Sequence, residues 1–180
     1  LYALAPLREN LLEWYEFRKG GRLLQAGADF GALTGLYLRK TGSVTVLDES
    51  EESLEVVRRR YRGETGLRLE CGSLTAYSRQ KENSGSFDYV LLIGRPNGSE
   101  GLGAQIEAAK RLLAPGGTII LAVCNRFGLK YFAGTQRDAV SATKKNLEEL
   151  LAGGSFTIRC RITNCRLSFI QIGICRKKAI

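Results

Sequence analysis

Apolar residues recur along this chain in two alternating rhythms. Short continuous runs rich in Val, Ile and Leu read as strands: Arg22 to Ala26, Ser43 to Leu47, Leu67 to Cys71, Phe87 to Ile93 and Thr118 to Cys124. Between them, apolar residues return at roughly helical spacing. This predicts helices over Pro6–Lys19, Gly31–Lys40, Glu51–Arg62, Gly101–Leu113 and Ser141–Leu151. Gly20-Gly21, Pro115-Gly116-Gly117 and Gly153-Gly154 punctuate element ends, and Ser50 is placed to cap the helix after it. Thr75 to Ser86 is polar and reads as a loop with at most a helical turn. Phe156–Thr163 and Leu167–Cys175 are two final strands joined near Asn164, close enough to pair antiparallel.

Strands alternating with helices imply a parallel sheet covered on both faces. The expected fold is α/β, a three-layer doubly wound sheet of seven strands, mostly parallel, ending in a C-terminal antiparallel hairpin. A single domain over residues 1–180 suits this length, with an N-terminal helix over 1–21, a core over 22–152 and the hairpin over 153–180. The chain contains no Met, even at position 1, so a domain excised from a longer polypeptide is expected.

Composition narrows the chemistry. Hydrophobic residues make up 44% and charged ones 25%, a globular balance. No apolar run is long enough to span a membrane, and the first residues lack the layout of a signal peptide, so a cytoplasmic setting is expected. Cys71, Cys124, Cys160, Cys165 and Cys175 have no metal-like spacing, and most lie in apolar strands; they read as buried, reduced thiols. His is absent, which excludes Ser-His-Asp and Cys-His catalysis and removes the commonest zinc ligand, so no metal is expected. Transfer of a group from an already activated donor needs no imidazole. The net charge of +9 invites a polyanion, and Arg58, Arg59, Arg60 and Arg62 surround Tyr61. No nucleic-acid motif accompanies that cluster. It reads as the cationic end of a helix, and nucleic acid is not an expected partner.

Leu23 to Asp48 carries the candidate chemistry. A strand ends at the turn Gln25-Ala26-Gly27-Ala28-Asp29-Phe30-Gly31, a helix follows, and a second strand ends in Asp48 and Glu49. Such a turn brings backbone N–H groups and a helix N-terminus to a ligand, and an acid at the next strand tip can accept hydrogen bonds from a ribose diol. Gly27 lets the backbone approach that ligand without a Cβ. A GxGxxG dinucleotide fingerprint is not present, because Asp29 and Ala32 stand at its second and third glycines.

The alternating units, with the loop at Gln25–Gly31, Asp48, Cys71-Gly72-Ser73-Leu74, Phe87-Asp88-Tyr89-Val90 and Arg111-Leu112-Leu113-Ala114-Pro115-Gly116-Gly117, resemble class I S-adenosylmethionine (SAM)-dependent methyltransferases. A narrower resemblance runs through PLRENLLEWY, GALTG and NRFGLKYFAG to bacterial methyltransferase domains associated with cell-surface glycosyltransferases. The resemblance implies SAM as cofactor, held by Gln25, Gly27, Asp29, Gly31, Asp48, Glu49, Gly72, Ser73, Leu74 and Gly94. It implies a small-molecule, sugar-like or glycan-precursor acceptor and a neighbouring glycosyltransferase domain. Asn125, Lys130 and Tyr131, after the fifth strand, are weak candidates to orient that acceptor.

Three positions depart from the family pattern. Gln25 stands where an acid normally attracts the cofactor's ammonium group, Asp29 replaces the middle Gly of the loop, and Ser73 replaces an adenine-reading Asp. Losing one charge-assisted hydrogen bond, as at Gln25 and Ser73, costs about 1.5–3 kcal/mol, and the Asp29 side chain crowds the space the cofactor needs and sets a carboxylate against the cofactor's own. Two functions therefore stand side by side: an active methyltransferase, and a degenerate, non-catalytic domain that keeps the fold for interaction or scaffolding, with SAM binding weakened or lost.

Overall fold

The computed structural model describes residues 6–93, 101–125, 134, 141–151, 156–165 and 168–177, the last two segments by their backbone. The elements are β1 (Arg22–Ala26), α1 (Thr34–Thr41), β2 (Ser43–Asp48), α2 (Glu51–Arg60), β3 (Leu67–Cys71), α3 (Leu74–Arg79), β4 (Phe87–Ile93), α4 (Leu102–Leu112) and β5 (Leu113–Asn125). They are followed by β6 (Ser141–Ala142), α5 (Lys144–Leu151), β7 (Phe156–Cys165) and β8 (Ser168–Lys177).

All strands join one sheet in the order β3-β2-β1-β4-β5-β8-β7, with β6 beside β5. The strands β1 to β5 run parallel. β8 pairs antiparallel with both β5 and β7. The two-residue β6 makes eight strands among the described residues, where the sequence pattern leads to seven. Successive strands step outward from β1 to β3, and the chain then returns to place β4 on the other side of β1. The order reverses between β1 and β4, which is where open α/β sheets form ligand crevices at their carboxyl edge.

Alternation along the parallel strands sends neighbouring residues to opposite faces. Leu24, Val90 and Ile119 join α3, α4 and α5 in one core, through Leu74, Tyr77, Ile106, Leu112 and Leu147. Leu23, Leu91 and Ile120 join α1 and α2 in the other, through Leu36, Tyr37, Leu54 and Val57. Three layers result.

Four segments differ from the sequence expectation. The N-terminal helix expected over Pro6–Lys19 is a 3-10 segment over Pro6–Leu11 followed by turns. Lys40 Nζ takes the carbonyls of Glu13 and Tyr15, which a helix would have used itself, and Tyr15 and Phe17 pack edge-on against Tyr89. The helix expected from Gly31 begins at Thr34, because Asp29, Phe30 and Gly31 take positive φ angles of 44°, 51° and 79°. The expected loop at Thr75–Ser86 contains α3, capped by Ser73, whose Oγ accepts the Ala76 N–H at 3.2 Å. The helix expected from Ser141 opens with β6 and becomes helical at Lys144. Pro115-Gly116-Gly117 lies inside β5, where the β4 register jumps from Phe87–Leu113 to Tyr89–Thr118. The extra residues bulge out of the ladder, which lets a Pro sit within a paired strand. Cys71 is exposed, against the expectation of buried thiols.

Candidate nucleotide crevice

The loop after β1 is held from three sides. Gln25, 5% exposed, donates through Nε2 to the carbonyls of Gly27 at 2.8 Å and Ala28 at 3.2 Å. Its Oε1 accepts the Thr34 hydroxyl at 2.9 Å, so the amide spans the loop from β1 to the first turn of α1. Asp48, 6% exposed, accepts the Ala28 N–H at 2.7 Å on Oδ2 and the Ser50 N–H at 2.8 Å on Oδ1. One carboxylate thus joins the tip of β2 to the loop after β1 and to the entry of α2. On the outer side Tyr61 donates its hydroxyl to the Gly31 carbonyl at 2.7 Å and accepts the Gly35 N–H at 3.1 Å. Arg60 donates to the Phe30 carbonyl at 2.5 Å. Asp29 pairs with Arg8 of the N-terminal segment.

A crevice opens beside this loop at the carboxyl ends of the parallel strands. Ala26 and Gly27 from β1 and its turn, Glu49 after β2, Gly72, Ser73 and Leu74 after β3, and Leu92 and Ile93 of β4 line it. Leu102 and Gln105 of α4 and Leu121 and Val123 of β5 complete the wall. Its cavity volume is about 20 Å³, the room of a single water molecule.

Five of the residues singled out in the sequence therefore come together on the crevice wall: Gly27, Glu49, Gly72, Ser73 and Leu74. Gln25, Asp29, Gly31 and Asp48 are not on that wall; they build the loop beside it. Gly94, Lys130 and Tyr131 lie outside the described residues. Asn125 ends β5, opposite Ala142 of β6. The sequence reading missed Gln105, which is 3% exposed and projects from α4 into the crevice wall. Its signal was available, since it is a polar residue on the apolar stripe that carries Ile106 and Ala109. It also missed Tyr61 as the brace of the loop. Among the described residues no cluster of His, Cys, Asp and Glu could hold a metal ion, and no helix is long and apolar enough to cross a membrane.

Comparison with known proteins adds a second line of observation. The sequence pattern of the family described as "Methyltransferase domain" matches residues 23–117, just over half of the chain. This chain belongs to the methyltransferase domain family. The match begins in β1 and ends in the Pro-Gly-Gly bulge of β5, so it contains the loop, both strand tips and most of the crevice wall. The ubiquinone biosynthesis O-methyltransferase of Pseudomonas aeruginosa is 29% identical over 126 residues, which cover 70% of this chain and 54% of that protein. The chain thus spans about half the length of the curated relatives it matches. Among solved structures, the Burkholderia thailandensis 1,6-didemethyltoxoflavin-N1-methyltransferase, bound to its substrate and S-adenosylhomocysteine, aligns with a TM-score of 0.70 and 20% identity. It covers 98% of this chain and 78% of its own. The cyclase SpnF aligns with a TM-score of 0.75 and 16% identity, covering 97% of this chain and 80% of its own. These likenesses show the family's fold, and the cyclase is a reminder that the fold alone does not assign the reaction.

Proposed function

We propose that this chain is a SAM-dependent methyltransferase domain acting on a small-molecule acceptor. The observation that carries the reading is the crevice at the β1–β4 reversal, where Gly27 and Gly72 leave the backbone open and Glu49 and Ser73 stand on either side. That donor set fits a nucleoside. Glu49 is exposed and free to accept hydrogen bonds from a ribose diol, a role in which it replaces the more recessed Asp48. The Ser73 Oγ accepts from Ala76 and keeps its own proton to donate to a ring nitrogen. Leu74, Leu92 and Ile93 offer apolar surface to a purine face. When bound, SAM supplies a methyl group activated by its positive sulfur. The contribution of the chain is to hold donor and acceptor in line and to exclude water.

The acceptor is a hydroxyl- or amine-bearing small molecule, with sugar-like and glycan-precursor compounds favoured by the glycosyltransferase-associated sequence features. Asn125, at the end of β5, and Lys130 and Tyr131 after it are the acceptor-side candidates. Gln25, Asp29 and Gly31 serve by shaping the loop, and Gly94, next in sequence after β4, stays a cofactor-side candidate. A cytoplasmic location in a single domain next to a glycosyltransferase fits this chemistry.

One observation favours the degenerate, non-catalytic alternative. The Gln25 amide is engaged at both ends within the loop and offers no net charge to an ammonium group. Calorimetric titration with SAM and S-adenosylhomocysteine separates the two. Dissociation constants in the range of about 1–100 μM, weakened about tenfold by Glu49→Ala, support the enzyme. Absence of heat at millimolar ligand overturns it and leaves the scaffold.

A further inference from the structure

We propose that the open edge of β3, together with the arginines at the end of α2, is a docking groove for an extended acidic peptide. A second cavity, of about 560 Å³, lies on the far side of the molecule's parallel sheet from β5. Three successive residues of β3, Leu67, Arg68 and Leu69, line it. Successive strand residues point to opposite faces, so a cavity that touches all three lies along the edge of the strand and not over a face. β3 is the terminal strand of the sheet, with β2 as its one neighbour among the described residues.

The backbone phase of that edge is fixed. The Gly66 carbonyl accepts from Val44 at 2.8 Å, and the Gly72 N–H donates to Asp48 at 3.0 Å, both across to β2. In a parallel pair alternate residues turn their N–H and C=O to the same side. Gly66, Arg68, Glu70 and Gly72 therefore face β2. Leu67, Leu69 and Cys71 direct theirs outward, a row of donors and acceptors that an added strand can satisfy.

The opposite wall decides the chemistry of the occupant. Arg58, Arg59 and Arg62, with Arg68 of β3, line the groove together with Glu55 and Glu64; Arg68 is paired with Glu70 and Arg58 with Glu51. Glu55 is taken up by Arg58 and by Arg59, the latter at 2.8 Å. Arg62 has no ion pair among the described residues. Leu67, Leu69 and Tyr61 add apolar lining. Alternating acidic and apolar side chains on an extended peptide match this arrangement. A nucleic acid would meet the arginines but leave the outward amides unpaired, and a second copy of a chain carrying +9 is opposed by its own charge. The groove also touches the loop after β1, because Tyr61 lines it and holds Gly31 and Gly35 through its hydroxyl.

The test uses the whole chain and a fluorescein-labelled decapeptide of alternating Glu and Val. Binding is followed by anisotropy at low salt and amide exchange by NMR. The expected result is saturable binding, with exchange at Leu67, Leu69 and Cys71 slowed about tenfold and that at Arg68 and Glu70 unchanged. Arg62→Glu weakens binding about fivefold, and raising salt does the same. N-methylating alternate peptide amides abolishes binding in one phase and spares it in the other. The proposal is overturned if the peptide does not bind, if both N-methylated peptides bind alike, if exchange at the three amides is unmoved, or if a uridine decanucleotide binds as tightly. It is overturned equally if β3 proves to be covered by a second copy, seen as a dimer by sedimentation.

Discussion

Asp48 Oδ2 accepts the backbone N–H of Ala28 at 2.7 Å, so the tip of β2 holds the loop that follows β1. The second oxygen takes the Ser50 N–H at 2.8 Å, at the N-cap of α2. This carboxylate is a structural joint, and the neighbouring Glu49 is the acid that faces the crevice. Asp48→Ala leaves two N–H groups without their charged acceptor and is expected to cost about 2–3 kcal/mol, read as a lower urea midpoint. Glu49→Ala is expected to stay within about 0.5 kcal/mol of the parent, as exposed substitutions do. The two variants separate loop stability from ligand recognition.

Gln25 yields a second expectation of the same kind. Its Nε2 serves two carbonyls and its Oε1 serves Thr34 in a buried position. Gln25→Glu keeps the size, removes both donors and sets a carboxylate against the Gly27 and Ala28 carbonyls. A loss of about 2 kcal/mol is expected in the free protein, measured by thermal or urea unfolding. A ligand bearing an ammonium group should return part of it, so S-adenosylhomocysteine is expected to raise the melting temperature of this variant more than that of the parent.

Asp88 ties the N-terminal segment to β4. Its Oδ1 accepts from Arg18 Nη2 at 2.8 Å, its Oδ2 accepts the Arg22 N–H at 2.9 Å, and the Arg22 guanidinium lies at 3.6 Å. Partial desolvation pushes its acidity the other way, but the Arg22 N–H and the two guanidiniums prevail and hold the carboxyl below the usual Asp range. A carboxyl with a depressed folded pKa stabilises fully above its unfolded value, about 3.9, and that stabilisation is lost as pH falls through the folded value. Asp88→Asn should therefore lose about 1 kcal/mol at pH 7 and progressively less as pH falls below about 3.9, so the two stability curves draw together in acid. Parallel curves from pH 7 to pH 2 would show that the ion pairs carry no stability.

The alternation of strands and helices and the three layers were legible because they depend on hydrophobic rhythm and on turns. Leu23, Val46 and Leu91 declare their strands by composition alone. The local backbone was less legible where tertiary partners override propensity. Leu7, Leu11, Leu12, Trp14 and Tyr15 recur at roughly helical spacing, yet Lys40 and Tyr89, distant in sequence, draw the end of that segment into turns. The site was half legible for a similar reason. Residue types at strand tips pointed to the acids, but only the hydrogen bonds from Ala28 and Ser50 reveal that Asp48 is occupied within the fold.

Phe30 offers a test in which glycine should help. It is 45% exposed and held at a φ of 51°, between Asp29 at 44° and Gly31 at 79°. A side chain at such an angle costs about 1–2 kcal/mol, and an exposed phenyl ring recovers little of it. Phe30→Gly is expected to be neutral or to stabilise by about 0.5–1 kcal/mol, whereas Phe30→Ala keeps the strain and should not. Matched urea melts of the two variants read the difference. If the ring instead closes over a bound nucleoside, Phe30→Gly weakens ligand binding while the free protein stays as stable as its parent.

Gly66 carries the largest expected effect and follows from one close approach. A Cβ built there would lie 2.0 Å from the carbonyl oxygen of Gly42, which is backbone and not a side chain that can swing away. Gly42 itself ends α1 in a left-handed conformation, with its N–H donated to Leu38 at 2.9 Å, so it is fixed from the other side. The Gly66 carbonyl, in turn, starts the β2–β3 ladder through Val44. Gly66→Ala must therefore part the two chains at the point where β3 begins. The expected loss is about 3–4 kcal/mol, at the upper end for a single methyl group, with early exchange of the β3 amides as its signature. Gly42→Ala, with open space around its Cβ, should cost only the left-handed penalty of about 1–2 kcal/mol. Equal losses in the two variants would mean that the contact between these two glycines is looser than 2.0 Å implies.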